Sequence, residues 1–152
     1  MIKIKHQNKE VEYNKNPLFI IDKSWINRIK RKALKNKSKK FRTCTHYSKK
    51  DLVHEMLIVH TNKTYVPPHK HKAKDESILV LEGIATVIVY DQKGNIKKKF
   101  KIGDFKTKYP FYYKMKKNIF HSFKFHTKFF VFKETTLGPF KKNETVYANW
   151  KN

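Results

Sequence analysis

Apolar and polar positions follow a helical period near the start of the chain. Residues 22–40 carry apolar side chains at the spacing of one helical face: Trp25, Ile26, Ile29, Ala33 and Leu34. Lysines and arginines fill the opposite face and crowd its C-terminal end, where the helix dipole favours cations. Either Asp22 or Ser24 can cap the N-terminus of this helix. The pattern therefore predicts one amphipathic helix ahead of a boundary near residue 41.

Beyond that boundary the apolar residues take the period of β-strands. Apolar or alternating runs predict strands at residues 52–60, 77–91, 95–100, 121–126 and 128–135, and residues 1–20 alternate weakly enough for one or two more. Gly83 interrupts the second run as a turn or bulge. Many short strands separated by turns are typical of a β-sandwich or barrel. We predict a mainly β protein, with an N-terminal extension, residues 1–41, that packs its helix on one small antiparallel barrel domain, residues 42–152.

The formal net charge of +24 is the most prominent feature of the composition, and it raises the question of a nucleic-acid partner. Only three of the 36 basic residues are arginines, whereas bidentate contacts to phosphates and guanines favour arginine. The chain is also rich in Lys, Asn, Ile and Phe, which the codons of an AT-rich genome favour. We interpret the charge as compositional bias on a solvated surface that attracts anionic ligands.

Length and cysteine usage narrow the class of protein further. A chain of 152 residues predicts one domain, and its 12 Phe and 8 Tyr can fill a large core. Cys44 is the only cysteine, so no internal disulfide forms, and we expect this thiol to act as a small buried hydrophobe. The N-terminus lacks the apolar segment of a signal peptide, and no stretch has the length of a transmembrane helix. These features predict a cytoplasmic protein.

Two histidines and a carboxylate stand at the spacing of metal ligands. On one strand, His69 and His71 would point to the same face, and Glu76 follows after a short polar turn. His121 begins a later strand whose alternate residues are aromatic, so we expect it to face the interior. Three imidazoles and one carboxylate leave coordination positions open on one divalent ion, which could be Fe, Mn, Ni or Zn.

This spacing resembles the first motif of the cupin superfamily, G-x5-H-x-H-x3-4-E-x6-G. His69, His71, Glu76 and Gly83 match it in register, whereas Lys63 stands at the leading glycine.

The second cupin motif, G-x5-P-x-G-x2-H-x3-N, is matched by its histidine, His121. Lys116 replaces the proline, Asn118 replaces the second glycine and Phe125 replaces the asparagine. Asn118 can still adopt the left-handed conformation that a glycine would supply.

Residues 20–150 as a whole resemble the WbuC family of cupin-fold metalloproteins. The likeness includes an Arg-x-x-x-His segment at Arg42 and His46 and a Glu-x-x-x-Gly-Pro segment near Glu134, Gly138 and Pro139. It implies a small jelly-roll barrel that holds one divalent metal. It also implies a setting among genes for O-antigen or other surface-polysaccharide synthesis.

Arg42, His46 and Glu134 are the candidate catalytic residues. We hypothesise that Arg42 binds an anionic group of the substrate, such as a phosphate or a carboxylate. Glu134 shares a strand face with Phe130 and Phe132. If that face is inward, Glu134 is a second carboxylate near the metal and a candidate general base, and if it is outward, Glu134 is an ordinary strand residue.

The remaining histidines carry less information. We predict structural or surface roles for His54, His60 and His126. His54 and His60 lie on the same face of one predicted strand, but both faces of that strand are apolar, so its pattern does not say which face is inward.

Three functions fit the sequence. The leading one is a metal-dependent cupin that acts on a sugar or sugar nucleotide of surface-polysaccharide synthesis, as an isomerase or epimerase. The same ligands also support an Fe(II)-dependent oxygenase. The third is a non-enzymatic module that senses a metabolite, or a basic protein that binds nucleic acid or anionic lipid. The partners we expect are an anionic small molecule and, by analogy with other cupins, a second copy of the chain.

Overall fold

The computed structural model describes residues 3–150. One helix, α1 (Lys23–Lys35), and twelve strands make up its regular structure, with one turn of 3-10 helix at Lys142–Glu144. The strands are β1 (Ile4–His6), β2 (Val11–Asn14), β3 (Lys40–Cys44), β4 (Val53–Thr61), β5 (Val66–His71), β6 (Glu76–Glu82), β7 (Ile84–Tyr90), β8 (Ile96–Gly103), β9 (Tyr112–Met115), β10 (Phe120–Phe125), β11 (Phe129–Leu137) and β12 (Thr145–Tyr147).

The strands form two sheets. One has seven strands in the order β1-β2-β3-β4-β11-β6-β9, and the other has five in the order β12-β5-β10-β7-β8. All pairs are antiparallel except β2 with β3, and among the described residues no ladder joins the two sheets. The predicted fold class, a small mainly β domain of the cupin type with one N-terminal helix, is confirmed.

Helix α1 begins where the sequence predicts. Asp22 is the N-cap, and its Oδ1 accepts a hydrogen bond of 2.9 Å from the backbone N–H of Trp25. Trp25, Ile29 and Ala33 are buried against the outer face of the seven-stranded sheet. Two details differ from the pattern of residues 22–40, which extends the helical region to residue 40 and places Leu34 on the apolar face. The helix stops at Lys35, and the Leu34 side chain is 41% exposed.

A buried carboxylate holds the helix to the sheet. Glu12 on β2 is 0% exposed and accepts hydrogen bonds from Arg28, from Lys32 at 2.8 Å and from Thr43 at 2.7 Å. Burial alone would raise the pKa of Glu12, but these donors hold it below its ordinary value. Because Glu12 on β2 accepts hydrogen bonds from two residues of α1 and from one residue of β3, it positions the helix against this edge of the sheet.

Aromatic side chains fill the space between the two sheets. The largest are Phe125, Phe130 and Phe132, which are buried with the apolar residues of β6 and β7. A cavity adjoins this core, and its lining combines core residues such as Ile58 and Phe132 with polar side chains. No helix among residues 3–150 is both long and apolar enough to cross a membrane.

Candidate metal centre

The structure brings the four predicted ligands together at one end of the two sheets. His69 and His71 lie on β5, and His121 lies opposite His69 in the antiparallel pair of β5 with β10. One ring nitrogen from each of the three histidines lies within 4.8 Å of the others. Glu76 is the first residue of β6, in the facing sheet, and its carboxylate reaches the same place.

Hydrogen bonds orient each imidazole in the same way. Nδ1 of His69 lies 2.9 Å from the carbonyl oxygen of Pro67, and Nδ1 of His121 lies 3.0 Å from that of Ile119. Because a carbonyl oxygen only accepts, these nitrogens carry a proton, and in the neutral ring Nε2 has the lone pair that can bind a metal. Nδ1 of His71 lies 3.2 Å from the hydroxyl of Thr145. Such outer contacts fix the tautomer that a metal requires.

The carboxylate of Glu76 faces two of these imidazoles. Its Oε1 lies 3.1 Å from Nε2 of His121, and its Oε2 lies 3.3 Å from Nε2 of His71. Oε1 is fully buried, and its contact with His121 satisfies it only when Nε2 carries a proton or when a cation lies between the two atoms. Two acceptor atoms at this separation repel unless a proton or a cation lies between them. The donor set therefore fits a divalent ion bound by three nitrogens and one oxygen.

The burial of the site sets its electrostatics. Burial lowers the pKa of His69 to about 4, so its imidazole is neutral near pH 7. Burial opposes the charged forms of Glu76 and His121 as well, but each stabilises the charge of its partner. Their contact holds the pKa of Glu76 well below its ordinary value and raises that of His121. A metal would replace the proton that the pair otherwise shares.

A cavity of about 550 Å³ adjoins the four residues, which is within the usual range for small-molecule sites. Arg42, His46 and Glu134 all line it. Glu134 lies on the inward face of β11, with Phe130 and Phe132. Burial raises its pKa, and the charge of Glu76 raises it further.

Three other histidines line or border this cavity. His46 stacks on His54 with 4.1 Å between ring centroids, and His60 packs edge-on against Phe125 and Phe132. Burial lowers the pKa of all three, that of His60 to about 3. His126 is exposed at the far end of β10 and contacts Thr86.

Sequence reasoning missed several residues around the cavity. Thr145 supports His71, and Lys49, Lys74 and Phe140 form part of the rim. Alternation along the histidine strand predicts that Lys74 points away from the metal, if the strand extends that far. The strand ends at His71, and Lys74 lines the cavity. Cys44 is buried as expected, and burial raises the pKa of its thiol to about 11.

Solved structures share this architecture. A Shewanella oneidensis protein from structural genomics has a TM-score of 0.57 and 12% identity, over 71% of this chain and 73% of that one. Oxalate decarboxylase from Lactobacillus farciminis has a TM-score of 0.52 and 13% identity, over 65% of this chain and 27% of that one. Oxalate decarboxylase from Bacillus subtilis, whose centres hold Mn(II), has a TM-score of 0.52 and 15% identity, over 65% of this chain and 24% of that one. These likenesses show the fold: this is a cupin-fold protein, and it spans about a quarter of the decarboxylase chains.

A known sequence family also matches this chain. The family described as a domain of unknown function, DUF6016, matches residues 21–102, more than half of the chain. The chain belongs to this family. No curated protein matches this chain. The finer resemblance to the WbuC family stays a prediction.

Proposed function

We propose that this chain is a metal-dependent cupin that binds one divalent first-row ion through His69, His71, Glu76 and His121. The observation that carries the proposal is the convergence of three imidazoles, with ring nitrogens within 4.8 Å of one another, on the buried carboxylate of Glu76. A structural histidine–carboxylate pair would be satisfied without a third and fourth ligand. Here two further imidazoles converge on the same point. The Mn(II) centres of the Bacillus subtilis decarboxylase are held on the same fold, which supports a metal at this place.

The substrate that we propose is an anionic sugar or sugar nucleotide of surface-polysaccharide synthesis. The resemblance to the WbuC family supports the biological setting. The cavity supports the charge, because the guanidinium of Arg42 lines it and forms no ion pair with a described carboxylate. Arg42 would bind a phosphate or carboxylate group of this substrate through its planar fork.

The reaction that we propose is an isomerisation or epimerisation, which needs one proton removed and one returned. When bound, the metal ion supplies Lewis-acid polarisation of a substrate oxygen. Glu134 would move the proton. It lies opposite Met56 and Ile78 in the sheet, so it faces the cavity next to the row that contains Glu76. His46 also lines the cavity and would help to position the substrate.

Metal analysis of protein purified without chelator tests the metal. We expect about one divalent ion per chain in the wild type and in His126→Ala, whose imidazole is exposed, and loss of the ion in His121→Ala. A wild-type protein without bound metal, or a His121→Ala variant that keeps it, would refute the site. Incubation of loaded protein with nucleotide sugars, followed by NMR for a new epimer or isomer, tests the reaction. Oxygen consumption under these conditions would instead indicate the oxygenase.

A further inference from the structure

Four cationic side chains line the cavity without an acidic partner. They are Arg42, Lys49, Lys74 and Lys142, and none of them lies within 4.0 Å of a carboxylate oxygen among residues 3–150. The fifth cation of the lining, Lys40, is 3.8 Å from Glu10 and is thus paired. Unpaired charges of one sign around a concave surface focus the potential and concentrate ligands of the opposite sign. With the charge of Glu76 taken up by a metal ion, these four cations outnumber the other carboxylate of the lining, Glu134, and favour an anion of more than one charge.

Two of these cations converge on one aromatic ring at the rim. Nζ of Lys49 lies 5.5 Å from the ring centroid of Phe140, and Nζ of Lys74 lies 5.7 Å from it. The backbone N–H of Phe140 donates a 2.7 Å hydrogen bond to the carbonyl oxygen of Lys49, which joins these two segments of the rim. Each ammonium is within cation–π distance, so the ring holds both charges near each other.

The rim adjoins the candidate metal centre. Lys74 is two residues before Glu76, and Lys142 is three residues before Thr145, which contacts His71. The backbone N–H of Lys72 donates to the carbonyl oxygen of Glu144 at 2.8 Å, so the two segments are hydrogen-bonded to each other. An anion held at the rim would have the rest of its molecule within reach of the four ligands.

We propose that Lys49, Lys74 and Lys142 form a diphosphate-binding subsite beside the metal centre, and that the substrate is a nucleotide-linked sugar. This rests on the proposed function and names its substrate class. A diphosphate carries more charge and more terminal oxygens than a carboxylate or a phosphate monoester, so it can contact more of the four cations at once. Tyr147 is 62% exposed and also lines the cavity, so its ring offers a stacking surface to the base or sugar.

Calorimetric titration of the metal-loaded protein with uridine diphosphate tests the subsite. The double variant K49A/K74A removes both charges at Phe140, and K97A/K99A removes the same net charge from two exposed positions on β8, outside the cavity. We expect affinity to fall about ten-fold or more in K49A/K74A and to stay within about two-fold in K97A/K99A. Uridine monophosphate should bind the wild type about ten-fold more weakly than the diphosphate.

The proposal is overturned if the wild type does not bind the diphosphate, or if K49A/K74A binds it as the wild type does. Equal weakening in both double variants would also overturn it, because the attraction would then be general. So would a monophosphate that binds as tightly as the diphosphate. Metal content is measured in every sample. Metal without diphosphate binding refutes the subsite alone, whereas a wild type without metal refutes the proposed function.

Discussion

Nε2 of His121 lies 3.1 Å from Oε1 of Glu76, although the two residues come from different sheets. Both side chains are buried, so the carboxylate needs either a protonated His121 or a metal ion as its counter-ion. The contact therefore couples the two sheets through a charge that needs a counter-ion. Removing that counter-ion should affect both the site and the stability of the domain.

A change at Glu76 should abolish the response to metal. Glu76→Gln keeps the shape of the side chain but removes its charge, so we expect much weaker binding of a divalent ion. A chelator should lower the melting temperature of the wild type and leave that of Glu76→Gln unchanged, because a ligand stabilises only a state that binds it. Differential scanning calorimetry with and without chelator measures both. Equal shifts in the two proteins would contradict the assignment of this carboxylate.

Loss of the hydroxyl of Thr145 should weaken the metal site indirectly. Thr145→Val keeps the shape of the side chain but removes the group 3.2 Å from Nδ1 of His71. Outer contacts of this kind contribute about ten-fold or more to metal affinity. Competition with a fluorescent chelator measures the change. The matched control is Thr86→Val, which loses a 2.7 Å contact with the exposed His126 and should bind metal as the wild type does.

Loss of the buried charge of Glu12 should strongly destabilise the fold. Glu12→Ala leaves Arg28, Lys32 and Thr43 without their acceptor, and breaking a buried pair on one side costs about 3–5 kcal/mol. Urea unfolding at neutral pH measures this loss. Glu10→Ala removes the partly exposed ion pair with Lys40, 3.8 Å apart, and should cost less than about 1 kcal/mol. Similar losses in both variants would show that the position of Glu12 has no special role.

His60 should make the protein sensitive to acid. Its burial lowers the pKa from 6.5 to about 3, so the unfolded chain binds a proton that the folded chain excludes. The contribution of neutral His60 to the stability of the fold is fully present above pH 6.5 and is lost as the pH falls toward 3. When the pH falls from about 7 to about 5, the free energy of unfolding should therefore fall by about 2 kcal/mol more in the wild type than in His60→Leu. Urea unfolding at both values tests this, and parallel curves would contradict it. His126→Gln, at an exposed position, is the control.

Removal of the helix cap should cost a smaller amount. Asp22→Ala removes the acceptor of the N–H of Trp25 and should destabilise the domain by about 1 kcal/mol. Ser24→Ala removes only a side-chain hydrogen bond of 2.7 Å to Asp22 and should cost a few tenths of a kcal/mol. Chemical denaturation of the two variants distinguishes Asp22 from Ser24, the two N-cap residues that the sequence allows. A larger loss in Ser24→Ala would assign the cap to the serine.

The convergence of the four candidate ligands was predictable because each of them rests on local rules. His69 and His71 share a face by strand parity, and Glu76 follows at the spacing of a known motif. The helix was predictable for the same reason, except at its end. There Asn36 leaves the helical conformation and Lys39 has a φ of 57°, which the hydrophobic pattern does not reveal.

Other features depend on contacts between distant segments. The strand β4 gave no inward direction because both of its faces are buried: Met56 and Ile58 face the core between the sheets, and Leu57 and Val59 lie under α1. Periodicity cannot distinguish two apolar faces. Likewise, the convergence of Lys49 and Lys74 on Phe140 follows from tertiary packing, and no motif of lysines announces it.

Strand β12 pairs with β5, so Thr145 lies opposite His71 and Tyr147 lies opposite His69. Thr145, whose hydroxyl contacts Nδ1 of His71, is thus synthesised 74 residues after that histidine. A nascent chain that has exposed only the first motif holds neither His121 nor the hydroxyl that fixes His71. The candidate site is therefore complete only when β12 has paired with β5.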